Sequence, residues 1–138
     1  MGTIKDKSIL LVDDEPAILL MCQSILKENG FTNILTADTA LRALERLDTR
    51  PDLAVLDVML PDMDGFRLAR SIREKGYDIP IIAMSARMEP SDRKKMNASG
   101  MNAFIQKPII RNINCNLKSV ICIRYMLCGD KHSQYFCH

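Results

Sequence analysis

A chain of 138 residues is the length of one domain with a full-sized core. Its 47% hydrophobic and 26% charged residues suit a soluble globular protein, and a formal net charge of +2 gives no electrostatic case for binding nucleic acid. No apolar run approaches a membrane span and the N-terminus has no signal-peptide core, so a cytoplasmic protein without a membrane partner is expected.

In chain order, Ser8–Val12 is an apolar run that reads as a buried strand ending in Asp13-Asp14-Glu15-Pro16. Pro16 suits the first turn of a helix on which Ile18, Leu19, Cys22, Ile25 and Leu26 recur at helical spacing, until Asn29-Gly30 stops it. Asn33–Ala37 is a short strand. Asp38 or Thr39 can cap a second helix, whose buried side is expected at Leu41, Leu44 and Leu47. Leu53 to Leu60 is a second apolar run, interrupted only by Asp57, which it delivers into a loop closed by Pro61, Asp62, Asp64 and Gly65. Phe66, Leu68, Ala69 and Ile72 predict a third helix ended by Gly76. Ile81–Ser85 reads as the fourth strand, Pro90–Ala98 as a polar, loosely held helix, and Ala103–Gln106 as the fifth strand, running into Lys107-Pro108.

A final helix is expected to begin near Ile109, with Ile113, Leu117, Val120 and Ile121 on one side. Asparagines 112, 114 and 116 weaken it, and the last residues have no period. The expected division is a folded domain over residues 1–125 and an irregular tail over 126–138. Cys115, Cys122, Cys128 and Cys137 lack CxxC pairs, and His132 and His138 do not repair the spacing, so they read as incidental cysteines rather than a zinc site.

Strand and helix alternate throughout, which implies parallel βαβ units in one doubly wound α/β domain. In the common 2-1-3-4-5 strand order, the acidic ends of the first and third strands converge at the topological switch point. Three carboxylates together repel, so either one takes a proton or a cation neutralises them; the hard all-oxygen set favours the cation and suits Mg²⁺. The candidate ligands are Asp13, Asp14, Asp57 and the backbone carbonyl of Met59. Asp57 is then a nucleophile toward phosphorus, with Lys107 as a point charge and Ser85 as a hydroxyl donor. Each residue also has an ordinary reading. Asp13 or Asp14 can cap a helix, Asp57 can be a loop acid, Asp62 and Asp64 turn formers, Ser85 a turn residue, Lys107 a solvated lysine and Phe104 core. Their joint placement at strand ends on one sheet edge favours a site.

The set Asp13-Asp14, Asp57, Pro61, Asp64-Gly65, Ser85 and Lys107-Pro108, in this order over about Lys7 to Ile110, resembles the receiver domain of two-component response regulators. The resemblance implies a flavodoxin-like, five-stranded parallel sheet with about five helices. It also implies Mg²⁺-dependent transfer of phosphate to Asp57 from a sensor histidine kinase or a histidine phosphotransfer protein, the receiver assisting its own phosphorylation and dephosphorylation without being an enzyme in its own right. Asp13 and Asp14 would form the metal pocket, Lys107 would pair with phosphate, and Ser85 and Phe104 would be the switch residues. Phe104 stands where tyrosine is common, so its coupling must be steric. A downstream effector protein or an output domain would read the switch; too few residues follow for such a domain, which leaves a free-standing receiver or a piece of a longer regulator.

Two other functions compete. A Mg²⁺-dependent phosphatase would share the nucleophile, but Asp57 has no second acid two residues on to serve as general acid. A flavodoxin-like cofactor protein would need a glycine-rich loop where Asp13-Asp14-Glu15 stands.

Overall fold

The computed structural model describes residues 4–86, 88–107, 123, 126 and 127. Strands β1 (Ser8–Val12), β2 (Asn33–Ala37), β3 (Leu53–Asp57), β4 (Ile81–Ser85) and β5 (Ala103–Gln106) form one parallel sheet in the order β2-β1-β3-β4-β5. Helices α1 (Pro16–Glu28), α2 (Ala40–Arg46), α3 (Gly65–Glu74) and α4 (Pro90–Ala98) connect them. The fold class and strand order are those expected. The fifth helix expected from Ile109, together with Arg87, Pro108 and the tail's cysteines and histidines, lies outside the described residues, apart from Ile123, Met126 and Leu127, which are helical. Ile123 and Met126, on either side of the expected boundary at residue 125, are both buried in the same core cluster.

Successive strand residues point to opposite faces, and the core divides accordingly. Ile9, Leu11, Val55, Ile82 and Met84 pack with Cys22 and Leu26 of α1 on one face. Leu10, Val12, Leu56, Ala83 and Phe104 pack on the other with residues of α2, α3 and α4. Both faces of β3 are covered, which is why its sequence is unbroken apolar up to Asp57.

One expectation is corrected. Leu41 is 63% exposed, and α2 buries Ala40 and Ala43, while Leu44 is half-buried against the same cluster and Leu47 is buried in the turn that follows. At 3.6 residues per turn the series 40, 43, 47 falls within about 60° of arc and 41, 44, 47 within about 120°, so both lie on one side of a helix and bulk favoured the leucines. The rotation of α2 is fixed by its N-terminus. Thr39 Oγ1 accepts from Arg42 N at 3.1 Å, and the Asp62 carboxylate accepts from Ala40 N and Leu41 N, each at 2.9 Å. α4 agrees with its polar sequence, since Met96 is its one buried residue.

Candidate functional site

Register builds the site. Val12 pairs with Leu56, so continuing by one residue sets Asp13 beside Asp57. Asp13 is fully buried although it lies just past the strand. Its amide donates to Ala37 O at 3.1 Å, and its Oδ1 accepts from Glu15 N at 2.9 Å. Neither Asp13 nor Asp14 is the N-cap of α1; that position is Glu15, followed by Pro16, and Asp13 holds the turn from within.

Asp57 ends β3 and is 4% exposed. Its Oδ1 accepts from Met59 N at 3.1 Å. Lys107 reaches it from beyond β5, tethered by its own amide to Ser85 O at 2.7 Å. The ammonium donates to Asp57 Oδ2 at 3.1 Å and stands 2.6 Å from Asp13 Oδ2, with Glu15 Oε1 at 3.8 Å. The 2.6 Å contact is ionic and misses hydrogen-bond angles, so the buried Asp13 Oδ2 has no hydrogen-bond donor.

The charges follow from this placement. Burial pushes the Asp57 carboxyl above the usual carboxylate range and neighbouring Asp13 adds to it, against the Met59 amide and Lys107, which pull it down. For Lys107 burial alone would lower the ammonium, but the carboxylates of Asp13 and Asp57 outweigh it and the net direction is up. Cys22, buried in α1, is pushed up to about 12, first by burial and then by Asp13, so it stays an inert thiol.

A cation fits. Oxygens of Asp13, Asp14 and Asp57 lie within 4.8 Å of one another, and the unbonded Asp13 Oδ2 is among the groups a hard ion would satisfy. Asp14 and Asp57 border a cleft of about 550 Å³ that also includes Met59, Ser85 and Lys107. Ser85 is half-buried at the end of β4. Phe104 is 3% exposed, in one cluster with Met96 of α4, and Met88 of the intervening loop packs against it.

Three residues closing the loop after Asp57 have roles that their sequence positions alone did not specify. Asp64, read as a turn former, is the N-cap of α3 and accepts from Arg67 N at 2.7 Å. Gly65 then passes so near the strand end that a Cβ there would lie 2.3 Å from Asp57 O and 2.9 Å from Val58 Cα. The glycine's φ is ordinary, so the requirement is close approach, and only its position straight after a capping acid hinted at it. Asp62, also read as a turn former, ties this loop to the start of α2.

The profile of the response regulator receiver domain matches residues 9–114. The alkaline phosphatase synthesis transcriptional regulatory protein PhoP of Bacillus subtilis is 34% identical over 118 residues, covering 84% of this chain and 49% of PhoP. The sensor histidine kinase GacS of Pseudomonas protegens is 36% identical over 107 residues, 73% of this chain and 12% of GacS. This chain therefore spans half or less of these two relatives. Among solved structures, a CheY-like receiver domain protein of Methanospirillum hungatei superposes with a TM-score of 0.80 at 27% identity, covering 91% of this chain and 96% of that one. The chemotaxis response regulator CheY4 of Vibrio cholerae gives 0.75 at 26% identity, covering 86% and 98%. With the sheet order, the strand-end acids and this match in agreement, the chain belongs to the response regulator receiver family of two-component phosphorelay systems.

Proposed function

We propose that Asp57 is the phosphoacceptor of this receiver, and that the chain is a phosphorylation-controlled binding module rather than a turnover enzyme. The observation that carries the reading is the buried Asp57 carboxylate, held between a buried acid and a lysine at the floor of an open cleft. One carboxylate oxygen of Asp57 forms the new bond to phosphorus as the bond to the leaving group breaks. The electron pair departs on the donor's imidazole nitrogen that bore the phosphorus, the ring leaving neutral because its other nitrogen keeps its proton, or on the carboxylate oxygen of acetate when acetyl phosphate is the donor.

Asp13, Asp14 and Asp57, with the Met59 carbonyl, would hold Mg²⁺, which supplies charge neutralisation for the phosphoryl oxygens when bound. Lys107 would leave its carboxylates to meet the phosphoryl group, and Ser85 would donate a hydroxyl to it. Ser85 would carry the change to Phe104 through the loop that includes Met88. The thinly anchored α4 is the element we expect to shift.

Receivers of this family generally use Mg²⁺ and act between histidine kinases and effectors. For this chain we propose a cytoplasmic histidine kinase or phosphotransfer protein as donor, and an effector protein or attached output domain as reader. Among the described residues no helix is long and apolar enough to cross a membrane. Incubation with radiolabelled acetyl phosphate and Mg²⁺ should label the chain, and Asp57→Asn should abolish labelling. Label persisting in that variant would falsify the assignment, and turnover of free phosphomonoesters at ordinary enzyme rates would replace it with a phosphatase.

A further inference from the structure

A second cleft, of about 540 Å³, lies beside the first, between the start of α3 and α4. Met59 and Ser85 line both clefts, so the two meet across these residues. Their charge is opposite in character. Around Asp57 the carboxylates of Asp13, Asp14 and Glu15 face the one ammonium of Lys107. On the other side the carboxylates of Asp64 and Asp92 are outnumbered by Arg67 and Arg70 of α3 and Lys95 of α4, so the balance there is cationic.

All three side chains are exposed, and none forms a hydrogen bond or ion pair with another described residue. The acids of the same cleft are already engaged with helix N-termini: Asp64 accepts from Arg67 N, and Asp92 Oδ2 accepts from Glu89 N at 2.9 Å. Arg67 and Arg70 share one face of α3 at i, i+3, a spacing at which like charges repel unless something anionic offsets them. A phosphoryl donor is itself an anion, and the acidic mouth around Asp57 repels it. The α3/α4 side is where the local field favours its approach.

We propose that Arg67, Arg70 and Lys95 form an anion-collecting vestibule through which a small acyl phosphate donor reaches Asp57, passing Met59 and Ser85. The inference rests on Asp57 being the phosphoacceptor and names the donor class that the cleft admits. A cleft of this volume is of a size to hold a small molecule.

The test measures the initial rate of labelling by acetyl phosphate at saturating Mg²⁺, across ionic strengths from low to several hundred millimolar. The parent chain is compared with the triple variant Arg67→Glu/Arg70→Glu/Lys95→Glu and with the three single Gln variants. The parent rate should fall with salt. The triple variant should be slower by about tenfold at low ionic strength, with its salt dependence flattened or reversed. The Gln variants, which keep the fold if the triple variant does not, should each fall in between. Gln variants with the parent's rate and salt slope overturn this inference and leave the phosphoacceptor reading standing. Label retained by Asp57→Asn overturns both.

Discussion

Replacing Lys107 by methionine removes one ammonium from between two buried carboxylates while keeping most of the side chain's bulk. At 2.6 and 3.1 Å, and an effective dielectric of about 20, the attractions are roughly 6.4 and 5.4 kcal/mol before desolvation is counted. Desolvation of three groups offsets much of that, and breaking such a pair by removing one partner costs about 3–5 kcal/mol. The variant should therefore be less stable than the parent by about that amount at neutral pH without divalent ions. The loss should shrink on acidification. Asp57 already titrates above its ordinary value in the folded state. Between that ordinary value and the folded one the native state binds more protons than the unfolded, so stability falls as pH rises through this window. Without the ammonium the window widens upward, and acid relieves more of the repulsion. Mg²⁺ should compensate as well, since a ligand at a hundredfold excess over its Kd adds about 2.7 kcal/mol. With its internal competitor gone, the ion should bind about tenfold or more tightly. Urea unfolding followed by circular dichroism, at pH 7 and near pH 4.5 and with and without Mg²⁺, reads all of these. A deficit below about 1 kcal/mol, or one indifferent to both pH and Mg²⁺, would refute the reasoning.

Asp57→Asn should raise the melting temperature at pH 7 in the absence of divalent ions, because the folded state holds the ionised carboxyl at a disadvantage. The advantage should fade as pH falls toward the ordinary carboxylate value, and equal melting temperatures at pH 7 would contradict it. Gly65→Ala forces a methyl against the backbone carbonyl of Asp57 and should cost about 1–3 kcal/mol. Phosphorylation should slow beyond what that stability loss explains, which labelling well below the variant's melting temperature would separate. Arg73 donates five hydrogen bonds, to the carbonyls of Gly100, Tyr77 and Ile79 and to Asn102 Oδ1, joining the end of α3 to the turns before β4 and β5. Arg73→Met should lower stability by about 2–4 kcal/mol while leaving Mg²⁺ affinity nearly unchanged, as read by unfolding and by calorimetric titration. A loss confined to Mg²⁺ affinity would instead place Arg73 in the site.

The sequence by itself determined the strands and the identity of the polar groups at their ends, while their order, expected as the common one for this class, was decided by the sheet pairing. Buried parallel strands must be continuous apolar runs, and a charge straight after one stands out against that background, as Asp13 and Asp57 do. Periodicity failed where two readings had the same period, as in α2, where the choice between Ala40 and Leu41 depended on caps reaching in from elsewhere in the chain. Tertiary structure alone decided that Asp62 binds the start of α2, that Gly65 touches the Asp57 carbonyl, and that Arg73 gathers carbonyls from separate turns. It also decided that Lys107 sits on the oxygens a metal would use. Local sequence encodes which face of an element is apolar. Distances between groups 20 to 50 residues apart arise only when the sheet has brought their elements together.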